Sequence, residues 1–89
     1  MTWRIEFAAA AERDLAGLDR QVARWILAFL EKCVATSEDP RSLGAALRGG
    51  RLGGLWKYRI GDYRVIASLD DGVMLILVLS VGHRFEAYR

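Results

Sequence analysis

The sequence predicts an α+β domain: an N-terminal strand, a helical hairpin, then a mostly antiparallel sheet of three to four strands. Three observations carry this expectation. Apolar residues recur at helical period across residues 8–35. The period switches to two across residues 55–66. Two turn signals, Gly61-Asp62 and Asp70-Asp71-Gly72, cut the second half into pieces of strand length.

Trp3, Ile5 and Phe7 alternate with Arg4 and Glu6, as a half-buried first strand over residues 3–7 requires. Residues 8–18 are rich in alanine and charge, with Leu15 and Leu18 at helical spacing. Asp19 is placed to cap a second helix, since its carboxylate can accept from exposed backbone N–H groups. That helix is expected over residues 20–35, with Val22, Ile26, Phe29, Leu30 and Cys33 as its apolar stripe and Trp25 off the centre. Pro40 bars its continuation. Residues 41–54 hold five glycines and read as a loop, or as a short strand at Ala46-Leu47-Arg48 between turns. Strands follow over residues 54–60, 63–69 and 73–81, the last nearly all apolar and so expected at the centre of the sheet. There is no repeat, and residues 1–89 are expected to form one domain.

The segment Leu55-Trp56-Lys57-Tyr58-Arg59-Ile60-Gly61-Asp62-Tyr63-Arg64-Val65-Ile66 carries the most information. A two-residue Gly-Asp turn pairs Ile60 with Tyr63 and Arg59 with Arg64. Trp56, Tyr58, Ile60, Tyr63, Val65 and Ala67 then share one face, and Lys57, Arg59, Arg64 and Ile66 the other. Like charges across a ladder repel, so three cations gathered this way invite a polyanion. The plain alternative is a solvated sheet face, since basic residues on exposed strands are common.

Composition narrows the classes. With 53% hydrophobic and 27% charged residues the chain is globular, and a chain of this length buries roughly 60–65% of its unfolded surface. The net charge is only +2. Residues 1–50 hold seven basic and seven acidic side chains, and residues 51–89 six and four. Three of those four acids, Asp62, Asp70 and Asp71, fall at predicted turns, so the later strand faces should be more basic than the total implies. A single cysteine, a charged N-terminus and no long apolar run predict a cytoplasmic protein without an internal disulfide or a membrane span. One His and one Cys do not make a zinc site, and no paired carboxylates sit at ligand spacing. Cys33 is expected to be buried packing, not a nucleophile. Arg48-Gly49-Gly50-Arg51-Leu52-Gly53-Gly54 lacks the Gly-Lys-Ser/Thr ending of a phosphate loop. No cofactor or metal is expected.

The order Trp56-Lys57-Tyr58-Arg59, Gly61-Asp62-Tyr63-Arg64, Ser80-Val81-Gly82-His83-Arg84 and Tyr88 resembles the RelE-like toxins of bacterial type II toxin–antitoxin systems. The resemblance spans the whole chain in length and element order and is sharp from about Leu55 onward. It implies a small sheet with a helical hairpin, and metal-independent, ribosome-dependent cleavage of messenger RNA. Carried over by position, Lys57, Arg59, Arg64, Arg84 and Tyr88 form the catalytic set. Arg51 and His83 are assigned to RNA binding. The implied partners are the ribosome, messenger RNA and a small acidic antitoxin from an adjacent gene, which alone would contact operator DNA; no membrane is involved. Position 59 is Arg where some members have Lys, which weakens a proton-transfer role there because Arg stays charged. Position 83 is His where others have Lys.

Cleavage by the RNA 2′-hydroxyl needs a base for its proton, cations on the phosphate and an acid for the leaving 5′-oxygen. A lysine set among arginines holds its proton less tightly, which suits Lys57 as base. Arg59 and Arg64 could grip the phosphate with forked donors. Arg84 could add charge stabilisation or help the leaving group, and Tyr88 could stack on a base or position a proton. His83 could serve as acid or base, or be an ordinary loop or capping residue. Trp56 and Tyr58 are read as core aromatics, and so are Trp3 and Trp25. Two rival functions share the fold: a ParE-like toxin that poisons DNA gyrase without cutting RNA, and a catalytically inactive binding module.

Overall fold

The computed structural model describes residues 2–47 and 54–83. Strand β1 (Arg4–Phe7) leads into helices α1 (Ala9–Ala16) and α2 (Arg20–Phe29). A π-helical turn (Leu30–Val34) extends α2, and a 3-10 turn (Pro40–Leu43) follows. Strands β2 (Ala45–Ala46), β3 (Trp56–Ile60), β4 (Tyr63–Asp70) and β5 (Leu75–His83) are the remaining elements among the described residues. The strands form one sheet in the order β1-β5-β4-β3-β2. The predicted α+β class holds: among the described residues an N-terminal strand and a helical hairpin are followed by four strands, and β1 joins the same sheet. β1 runs parallel to β5, with Arg4 opposite Leu75 and Phe7 opposite Val78. β5 is therefore interior as expected, although β4 takes the middle place.

One face of the sheet carries the core. Tyr58, Ile60, Val65, Ala67, Ile76, Val78 and Val81 pack with Ala11 of α1 and with Ile26, Leu30 and Val34 of the α2 arm. Asp19 caps α2 as predicted, its carboxylate accepting from the Gln21 N–H at 3.0 Å. The far end of that arm departs from prediction. Ala35 N–H bonds to Leu30 C=O, an i to i+5 step, which widens the last turn. The widened turn brings Val34 and Ala35 inward and leaves Cys33 exposed. Cys33 was expected in the core, and the altered helical period is why it is not. Trp3 is buried as expected, but Trp25 is exposed.

Candidate functional site

The β3–β4 hairpin has the register read from the sequence. Gly61 takes φ +59° at the turn, where a side chain would be strained. Ile60 faces Tyr63, Arg59 faces Arg64, and Lys57 faces Ile66. Tyr58, Ile60, Val65 and Ala67 are buried on the helix side. Lys57, Arg59 and Arg64 stand on the other side, with Arg59 exposed and the other two partly buried. Arg59 and Arg64 are direct cross-strand neighbours, a spacing that puts Cβ atoms about 4.5–5.5 Å apart. The Nε atom of Arg64 is itself buried. Both Lys57 and Arg64 make further interactions beyond the ladder. Ile66 shares this outer face yet is only 2% exposed.

β5 supplies the floor beside these cations. Gly82 lies opposite Arg64, and Ser80 opposite Ile66. On the other flank Ala45 of β2 pairs with Lys57. The basic row is thus flanked by Gly82 beside Arg64 and by Ala45 beside Lys57. This placement depends on a break in the β4–β5 register at Ile66/Ala67, where Ser80 and Val78 face successive residues and Leu79 is left over. Such a bulge flips the side-chain parity of the strand beyond it. Val78 and Val81 can then both be buried, while Ser80 and Gly82 turn outward.

The same bulge sends His83 to the helix side. It sits opposite Tyr63, ring on ring edge-to-face at 5.8 Å and 81°. His83 and Tyr63 line a groove of about 470 Å³ with Arg13, Asp14, Gly17, Leu18, Val81 and Gly82. His83 therefore does not share a face with Lys57, Arg59 and Arg64. Arg51, Arg84 and Tyr88 lie outside the described residues. Among the described residues no three His, Cys, Asp or Glu side chains come together as a metal-binding group. No helix among them is long and apolar enough to cross a membrane.

Three supporting residues escaped the sequence reading. Asp14 accepts from the Val81 N–H at 3.0 Å, a donor that β1 does not reach because it ends opposite Val78. The available signal was an acid three residues after Ala11 and four before Leu18, on the inward side of α1. Gly44 lets the 3-10 turn approach β3: a Cβ there would lie 2.8 Å from the Lys57 carbonyl oxygen and 2.9 Å from Tyr58 Cε1. Arg41 grips Asp71 through two hydrogen bonds of 2.9 Å and lies 5.8 Å from the centre of the Trp56 ring. That bidentate bond raises the Arg41 pKa and lowers that of Asp71. Nothing in the sequence marks Gly44 among the other glycines or couples Arg41 to Asp71.

Two helices on one side of a mixed five-stranded sheet, with basic side chains on the other, define the RelE-like α+β class. Residues 5–88 match the family described as ParE toxin of type II toxin-antitoxin system, parDE. The chain belongs to this family and is a toxin of a toxin–antitoxin system. It is 32% identical over 87 residues to Toxin RelE of Mycobacterium tuberculosis, covering 98% of this chain and 87% of that one. It is 30% identical over 89 residues to Toxin RelG of the same organism, covering 100% and 99%. Its structure is similar to the toxin–antitoxin complex RelBE2 of M. tuberculosis, with a TM-score of 0.85 and 27% identity over 94% of this chain and 93% of the other.

Proposed function

We propose that this toxin cleaves messenger RNA at the ribosome by metal-independent attack of a 2′-hydroxyl on the adjacent phosphodiester. The reading rests on one observation above the others: Arg59 opposite Arg64, with Lys57 two positions along the same strand face. A base removes the 2′-hydroxyl proton as the new O–P bond forms. The P–O5′ bond breaks, leaving a 2′,3′-cyclic phosphate, and the 5′-oxygen takes a proton. Lys57 is assigned the base role, and Arg59 and Arg64 the charge that builds on the phosphate oxygens. Arg84 and Tyr88 are assigned to the leaving group and to stacking or proton positioning. Arg51 and His83 are proposed as RNA contacts outside the central row, His83 from the helix side. A cognate antitoxin is the proposed partner, since the similar structure RelBE2 is a toxin–antitoxin complex; the same cations suit an acidic one, and the site of action is assigned to the cytoplasm.

The test is induced expression of wild type and Arg64→Ala, with and without the neighbouring gene, read by growth and by primer extension on messenger RNA. Wild type should arrest growth, cut within codons and be rescued by the neighbour. Arg64→Ala should lose about 10²–10³ of the cleavage rate, as when one donor to a developing charge is removed. Equal arrest and cutting by both proteins would remove Arg64 from the chemistry. The matched family carries the ParE name, which favours the ParE-like rival weighed from the sequence; for that rival the proposed action is poisoning of DNA gyrase. Double-strand DNA breaks without messenger cleavage would establish it instead.

A further inference from the structure

The outward face of α2 carries a feature that the core does not need. Trp25 is 51% exposed, an uncommon position for the largest apolar side chain. Its indole rests on the tip of the β3–β4 hairpin, where a Cβ on Gly61 would lie 2.7 Å from Trp25 Cη2. Gln21, Val22, Arg24 and Trp25 line an open concavity of about 400 Å³. Arg20 and Arg24 are exposed one turn apart, a like-charge pair that weakens a helix slightly. The ion pairs among the described residues are Arg4–Glu6 and Arg41–Asp71, so neither α2 arginine is neutralised by one. Two carboxylates flank this surface in the chain: Asp19, engaged with the Gln21 N–H, and the exposed Asp62.

The hairpin tip joins this surface to the proposed site. Arg59 and Arg64 each stand two residues from Gly61-Asp62, so the cationic row and the Trp25 ring meet at one turn. We infer that single-stranded RNA passing over Arg59 and Arg64 continues around the tip, stacks a base on Trp25 and sets its phosphates against Arg24 and Arg20. This rests on the RNA-cleaving reading and extends the substrate track beyond the scissile bond. A single strand offers both unpaired base faces and phosphates, the two chemistries on display. A duplex hides the base faces, and an acidic peptide lacks them.

The test uses a 2′-O-methyl RNA oligonucleotide, which cannot be cut by 2′-hydroxyl attack, with binding read by fluorescence anisotropy over a salt series. Trp25→Ala should raise Kd about five- to tenfold, within the range for loss of one stacked base, and leave the salt slope unchanged. Trp25→Phe should keep most of the affinity. The double variant R20Q/R24Q should lower the slope of log K against log salt by about 1.4, roughly 0.7 for each single-strand phosphate contact. That variant relieves a like-charge pair and should fold at least as well as wild type, which a thermal melt checks. Wild-type affinity in both variants overturns the track, as does an equal loss by Trp25→Ala on a duplex, where stacking is blocked. Wild type that fails to hold the oligonucleotide, or variants that lose only antitoxin binding, overturn it as well. Arg64→Ala assayed for ribosomal cleavage tests the underlying reading separately: normal cleavage by that variant refutes the active site, whereas wild-type cleavage with an indifferent α2 face refutes only the track.

Discussion

Tyr58→Phe isolates one buried polar contact. Tyr58 is fully buried, and its hydroxyl donates to the Pro40 carbonyl oxygen at 2.9 Å. This bond ties the 3-10 turn to the strand that carries Lys57 and Arg59. Removing the hydroxyl leaves a carbonyl without its donor in a buried position, at about 1–3 kcal/mol. For a domain of this size each kcal/mol moves Tm by roughly 4–8 °C, so Tyr58→Phe should melt roughly 4–24 °C below wild type near neutral pH. A second signature is specific to the hydroxyl. Burial pushes the Tyr58 pKa from 10.0 up to about 12, against a lowering contribution from Arg41. The folded state therefore favours the neutral phenol. Its contribution is fully present below the unfolded pKa and is lost as pH rises from about 10 through about 12. The loss is at most about 2–3 kcal/mol at 1.36 kcal/mol per unit. Phenylalanine has nothing to titrate, so the stability gap between the proteins should shrink over that window while shared effects on Lys and Arg cancel. Urea unfolding of both proteins at about pH 8 and about pH 11.5 measures it. A gap of the same size at both pH values, or no gap at all, would refute the argument.

Other expectations follow from single contacts. Gly44→Ala should cost about 1–3 kcal/mol in urea unfolding, because the new Cβ meets the backbone carbonyl of Lys57, which cannot swing aside; messenger cleavage should fall with it. Asp14→Ala should cost about 1–2 kcal/mol and speed amide exchange at Val81, whereas Asp14→Asn, which keeps an acceptor oxygen, should lose less. Asp71→Asn should lower Tm slightly at neutral pH. The Asp71 pKa is depressed by Arg41, so the stabilisation in wild type is present above the unfolded carboxylate pKa and lost as pH falls through the lower folded value. The difference between the two proteins should therefore vanish in acid, and it should also fade with salt.

Local chemistry was the most legible part of the fold. The Asp19 cap acts on a backbone N–H two residues away, and the Gly61-Asp62 turn sets its register through adjacent residues. Both were readable without knowing what lies elsewhere in the chain. The pairing of β1 with β5 joins residues about seventy positions apart, and no local pattern announces it. Cys33 fell outside the core for a related reason. The stripe Val22, Ile26, Phe29, Leu30, Cys33 assumes a constant helical period, and the π-helical turn beginning at Leu30 changes that period where the arm meets Trp3, whose N–H bonds to the Ala35 carbonyl oxygen. Trp25 looked like packing because size and apolarity usually mean burial. Its actual place depends on Gly61, thirty-six residues later.

Sequence alone determined that Lys57, Arg59 and Arg64 stand on one side of a hairpin, because alternation and a two-residue turn leave no other register that buries Tyr58, Ile60 and Val65. Tertiary structure decided what stands beside them. Leu75-Ile76-Leu77-Val78-Leu79 is apolar at every position, so no alternation tells which face each residue takes. The choice is made by burying Val78 and Val81 together against the helices, three residues apart, which forces Leu79 into a bulge. That bulge places Gly82 next to Arg64 and turns His83 away, a result of the packing of the whole sheet that no stretch of β5 encodes by itself.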